Sequence, residues 1–162
     1  MADSESSALP DTPIEPLTIS RIEEILTSEG IEYRTDEIPG PEDTTRTVVH
    51  TGYRNSALTF VHDADVLICD SIWRGELDVA EAPSVLAAVS NWNQMRITPT
   101  LRFFEQHGSN LVISAYRQLY VGEGVSRNQL GGFILSSLAA ILEAYASLED
   151  RFPDAVTWRY EE

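Results

Sequence analysis

The order of periodic segments predicts an α+β domain: an antiparallel sheet of about five strands covered by helices, in the order α-β-β-β-α-β-β-α. Three observations carry this. Apolar residues recur with a 3.6-residue period from Leu130 to Leu148, and over shorter spans beginning at Ile19 and Val85. Runs rich in β-branched residues around 46–51, 56–61 and 66–73 are punctuated by turn residues. Finally, Leu101 and Phe103 on one side of His107-Gly108-Ser109-Asn110, with Leu111, Ile113 and Ala115 on the other, make the pattern of an antiparallel hairpin.

Residues 1–16 hold three prolines, four acidic side chains and three serines, so the expectation is a disordered or loosely attached acidic tail. The domain itself is expected to span 17–153. Thr18 is suited to an N-cap, with Leu17 and Ile22 placed as a hydrophobic staple and Ile19, Ile22 and Leu26 along one face of a helix over 19–29. Gly30 falls where that helix needs a left-handed residue. Ile31 and Tyr33 then alternate with Glu32 and Arg34, which reads as a short strand over 31–36 whose membership of the sheet stays open. Pro39-Gly40-Pro41 and the acids behind it mark a loop.

Strands 46–51 and 56–61 follow, and after the turn at His62-Asp-Ala-Asp65 comes Val66–Trp73. Val66 to Cys69 is apolar on both parities. Such a strand lies centrally or is covered on both faces, by the domain or by a partner. The second helix starts either at Asp78, with Glu81 completing a capping box, or at Pro83; Val85, Val89 and Trp92 form its stripe. Asn93 is expected to turn the chain out of that helix, since asparagine tolerates the left-handed region. Ser126 and Gln129 form a second capping box, opening a helix whose stripe is Leu130, Ile134, Leu138, Ile141, Tyr145 and Leu148, widened by Leu135 and Leu142. Pro153 ends it. Residues 154–162 are an acidic tail in which Trp158 and Tyr160 either pack back or dock a partner.

Read in order, these segments resemble the YbjN domain family. The residues that carry the likeness are Leu17-Thr-Ile-Ser-Arg-Ile-Glu-Glu-Ile-Leu26 with Gly30, Ile31 and Tyr33, then Leu86 to Asn93 with its Asn91-Trp92-Asn93 ending, Leu101-Arg-Phe-Phe104, Asn110-Leu-Val-Ile113 and Gly124-Val-Ser-Arg-Asn-Gln-Leu130. The resemblance implies a helix-covered antiparallel sheet like that of type III secretion chaperones, no cofactor, and a tendency to form homodimers. It also implies a bacterial stress or sensory transduction regulator, and supplies no catalytic residues.

Composition narrows the chemistry further. The chain has 26 acidic and 11 basic residues, a formal charge of −15, which argues against nucleic acid as a partner. Every basic residue is arginine, so no reaction here uses a lysine amine. Asp70 closes a stretch that imitates the phosphoaccepting strand of a receiver domain, yet a receiver also needs a lysine to neutralise the phosphoryl oxygens. His50, His62 and His107, with Asp63 and Asp65, lack the spacing of a metal site. Gly122-Glu-Gly124 and Gly131-Gly132 lack the phosphate-cradling pattern, and no Gly-x-Ser-x-Gly occurs. Cys69, the single cysteine, is expected to be a buried, inert thiol. The segment Phe133–Leu148 is interrupted by serines and a glutamate and falls short of the ~20 residues of a membrane span; with no secretory leader in view, the expected location is the cytoplasm.

The function read from the sequence is therefore a non-enzymatic protein-binding or chaperone-like regulatory domain. Its expected contact surface is the strand 66–73 with the hairpin 100–120: Leu67, Cys69, Trp73, Phe104, Tyr116 and Tyr120. Two alternatives remain open, a small-molecule sensor using a cavity between helices and sheet, and an enzyme whose site is assembled from scattered polar residues.

Overall fold

The computed structural model describes residues 10–158. Three helices, α1 (Ile19–Ser28), α2 (Ala82–Met95) and α3 (Arg127–Arg151), pack on an antiparallel sheet of seven strand segments: β1 (Arg34–Pro39), β2 (Thr45–Tyr53), β3 (Ser56–Asp63), β4 (Val66–Trp73), β5 (Leu77–Asp78), β6 (Thr100–Gln106) and β7 (Asn110–Tyr120). Across the sheet the order is β1-β2-β3-β4-β7-β6, every pair antiparallel, with β5 also on β7. The α+β class and the antiparallel sheet are as the sequence predicts, and two short segments beyond the expected five complete it.

β5 prolongs β4 along the same edge of β7. Ile72 opposes Ser114 and Leu77 opposes Leu111, so one strand advances five residues (72 to 77) while the other retreats three (114 to 111). The surplus bulges out. Gly75 sits in this bulge directly against the Trp73 ring, where any Cβ would collide.

Directly opposed residues share a face and neighbours along a strand alternate. One face therefore carries Leu58 and Phe60 of β3, Leu67, Cys69 and Trp73 of β4, and Ile113 and Ala115 of β7. All of these are buried in one cluster with Ile22 and Leu26 of α1, Val85 and Trp92 of α2, and Leu130 to Leu148 of α3. α1 lies over β2, α3 over β4 and β7, and α2 over β6. Polar pins join the layers: Ser71 Oγ and the Tyr145 hydroxyl are 2.6 Å apart, and Asn55 Nδ2 donates to Glu149 at 2.9 Å. The opposite face of the sheet carries no helix.

The caps act as the sequence predicts. Thr18 accepts from the backbone N–H of Arg21, and Ser126 and Gln129 close both bonds of a capping box. Both expected starts of the second helix are used in tandem: Asp78 and Glu81 form the capping box of a 3₁₀ turn, which runs into α2 with Pro83 in its first turn. Gly30, at φ 67°, ends α1.

Several boundaries differ from expectation, each for a physical reason. Ile31 does not begin a strand: its N–H donates to Leu26 O and that of Gly30 to Thr27 O, a two-bond stop that satisfies the last carbonyls of α1. The strand starts three residues later. Asn93 does not turn the chain out of α2, which continues to Met95. Its side chain instead accepts from Leu101 N–H at 2.9 Å and donates to Leu101 O at 2.8 Å, tying the helix to the outer edge of β6. Leu135 is exposed; Phe133, Ser137 and Ala144 widen the α3 stripe in its place.

The termini are also more attached than composition suggests. Asp11 and Thr12 side chains accept from Asn128 and Arg127 N–H, and Glu15 pairs with Val125 through two backbone bonds. Arg21 bonds the carbonyls of Glu15, Pro16 and Val125. Residues 11–16 thus form a strap against α3, because the capping box takes the N–H of Gln129 and leaves those of Arg127 and Asn128 for the Thr12 and Asp11 side chains. At the other end Val156 and Trp158 are buried, Trp158 edge-on to Trp73 with its carbonyl held by Arg54. Tyr160 lies outside the described residues.

One helix among the described residues, Arg127–Arg151, is long and apolar enough to cross a membrane by length and composition. Its large apolar stripe is buried against the sheet, the arrangement of a core helix.

Candidate protein-binding surface

The helix-free face is built by the other parity of each strand, and its registers define rows across the sheet. Val48, Val61 and Ile68 form one apolar row, with Val66 and Tyr120 paired beside it. Next comes a polar row of His50, Thr59, Asp70 and Tyr116. Beyond that, Ile72 lies near the Phe104–Val112 pair. The face is therefore two apolar lobes separated by a polar belt. Ile72 is 48% exposed, Phe104 42% and Tyr120 61%.

The belt is internally paired. Arg102 donates to Asp70 at 2.8 Å and to Ser114 Oγ at 2.9 Å, and its guanidinium lies 4.8 Å from the centre of the Tyr116 ring. Arg46 and Asp63 pair at 3.0 Å near the β2–β3 end, and His50 Nδ1 shares a hydrogen bond with Thr59 at 2.9 Å. Register places Arg34, Arg46 and Arg102 on this face with Asp36, Asp63, Asp70 and Asp78, three positive charges and four negative, close to balance. On a chain of net charge −15 that balance is a local exception.

The six residues singled out from the sequence divide between the two faces. Phe104, Tyr116 and Tyr120 lie on the helix-free face. Leu67, Cys69 and Trp73 do not: they point under the helices and are at most 1% exposed. Both parities of β4 are apolar, so the sequence could not say which would be covered; Ile68 and Ile72 are the residues of that strand on the helix-free face. Burial, with the neighbouring Asp70 charge adding to it and Arg117 opposing, pushes the Cys69 thiol up to about 12. That is an inert core thiol.

Asp70 stands mid-strand in an all-antiparallel sheet, ion-paired to Arg102, a setting unlike the exposed strand end of a phosphoacceptor. Strand parity sends His50 and His62 to opposite faces, and His107 sits in the β6–β7 turn at φ 53°. Among the described residues no three His, Cys, Asp or Glu side chains gather into a metal-binding group.

A single antiparallel sheet with three helices on one side and a half-apolar second side open defines a two-layer α+β domain. Residues 18–150 match the family YbjN, described as "Putative bacterial sensory transduction regulator", and the chain belongs to that family. A crystal structure of YbjN from E. coli, described there as "a putative transcription regulator", superposes with a TM-score of 0.65 at 12% identity, covering 82% of this chain and 92% of that one. An uncharacterized protein from Methanothermobacter thermautotrophicus superposes with a TM-score of 0.51 at 14% identity, covering 84% and 99%. At these identities the likeness is one of fold. Comparison with curated proteins finds no match.

Proposed function

We propose that this protein is a non-enzymatic regulatory domain that works by binding another protein on its helix-free sheet face. The observation that supports this reading is the pair of exposed apolar lobes, Ile72 with Phe104 and Tyr120 with Ile68, on a face that nothing in the chain covers among the described residues. Apolar side chains on a monomer's surface are ordinary singly, but a clustered set rimmed by ordered polar groups favours a partner. The charge balance of the face selects the kind of partner. A polybasic segment would be drawn to the acidic remainder of the surface, whereas this face, with Arg46 and Arg102 paired to acids within it, suits a folded surface of mixed charge.

The reading is tested by placing a photo-crosslinking residue at Phe104 or Tyr120, and at Glu143 on the helical side as control, in cells making the full chain. Adducts with one protein from the sheet positions only are the expected result. Equal labelling from Glu143, or no adduct at any position, would overturn it. Sedimentation over a range of concentrations decides whether that protein is a second copy. Ile72→Asp and Phe104→Asp should remove the adduct without lowering the melting temperature appreciably, because both side chains are already substantially exposed.

A further inference from the structure

In Asn91-Trp92-Asn93, Asn93 holds β6 and Trp92 packs inward, whereas Asn91 is exposed. Asn91 faces a cleft of about 320 Å³ between α2 and α3, floored by Leu101 and walled by Ala87, Ala88, Trp92 and Leu148. Its volume falls in the range of pockets that hold small molecules, roughly 300–1,000 Å³. The cleft exists because alanines on α2 face Ser147 on α3, where larger side chains would have closed the helix contact. Trp92 cannot swing to fill it: the indole N–H donates to Pro99 O at 2.9 Å, and Arg96, itself paired with Glu143, lies over the ring.

Three polar groups line the cleft among its apolar walls: the Asn91 amide, the Ser147 hydroxyl and the Arg151 guanidinium. Arg151 is the informative one. Acids outnumber bases 26 to 11 in this chain, yet among the described residues Arg151 has no carboxylate within ion-pair distance. Arg151 also lines a second recess, with Glu76, Glu81 and Asp154. Those carboxylates would repel a second negative charge.

We infer that this cleft is a binding site for a small organic monocarboxylate with a compact aromatic or branched aliphatic body. The body fills the apolar cleft beside Trp92, the carboxylate takes the two-pronged guanidinium of Arg151, and Asn91 and Ser147 supply the remaining hydrogen bonds. This site is separate from the helix-free sheet face, so either assignment can fail without the other.

The test titrates the full chain with phenylacetate, phenylacetamide and phenethylamine, following the Trp92 indole resonance and the heat of binding. Saturable binding of phenylacetate with a shift of Trp92, weaker binding of the amide and none of the amine are expected. Arg151→Gln should weaken the acid by about tenfold while leaving the amide unchanged. Ala87→Trp, at an exposed position on the lip, should block both. Equal affinity for acid and amide, binding that survives Ala87→Trp, or no saturable binding of phenylacetate at millimolar concentration would each overturn the assignment. A melting curve on each variant separates loss of the site from loss of the fold.

Discussion

Trp92 is 7% exposed and its N–H is satisfied, so Trp92→Ala removes both a large ring and a hydrogen bond. The expected loss is ~3–5 kcal/mol, read from denaturant unfolding; a loss below about 1 kcal/mol would mean that the ring is a surface residue. Asn93→Ala leaves both peptide groups of Leu101 without their partner, at a cost of ~1–3 kcal/mol. It also uncovers part of the β6 edge, so greater self-association on heating is expected. Cys69 gives a pH prediction with a definite sign. Its thiol is raised from 9.0 to about 12, so above pH 9 the unfolded chain releases a proton that the folded chain retains. Its contribution to stability is complete below about 9 and is lost as pH rises from there towards 12. Tyr145 is shifted upwards too, chiefly by burial. Cys69→Ala should therefore flatten the alkaline fall in melting temperature, and the native thiol should resist a disulfide reagent that labels it promptly in denaturant.

Among the elements, α3 is the one that closes the core. Leu138 lies in its buried stripe, and Leu138→Asp, which places an unpaired charge there, should abolish the cooperative melt. The strap of residues 11–16 makes a milder prediction: Thr12→Ala combined with Asp11→Ala should lower the melting temperature and speed amide exchange at Arg127 and Asn128. Hydrogen bonds from Ser126 and then Asn128 hold the Asp11 carboxyl below its ordinary range, so the strap loosens as acid protonates it. What the sequence made legible follows the same physics. α3 carries a capping box and a long unbroken period, and both were readable residue by residue. β5 has two residues behind a bulge and offers no periodicity at all. Asn93 was misplaced because tolerance of the left-handed region is only a propensity, whereas its side-chain bonds to Leu101 depend on tertiary placement. For β4 the strand was clear, but which parity faces the helices was decided by the packing of Tyr145, Leu138 and their neighbours. The cleft was the least legible feature, since Ala87, Ala88, Ser147 and Arg151 meet only after α2 and α3 are packed.

For the whole molecule, charge sets the response to salt. The net −15 makes the folded chain repel itself, and added salt screens that repulsion. The exposed pairs Arg46–Asp63, Arg96–Glu143 and Arg102–Asp70 pull the other way, but each contributes no more than about 1 kcal/mol. Raising ionic strength should therefore raise the melting temperature, most steeply at low salt.

The sheet's connectivity also bears on the order in which it is assembled. β2, β3 and β4 are joined by two-residue turns at Arg54-Asn55 and Ala64-Asp65, so their pairing closes short loops. β7 reaches β4 only after α2 and β6 have intervened; Ser71 and Ala115, bonded across that seam, are 44 residues apart. That seam carries the costly loop closure, and the barrier to folding should be crossed when it forms. Substitutions that weaken the β4–β7 seam or its cover from α3 should slow refolding, while those confined to the β1 edge should chiefly speed unfolding.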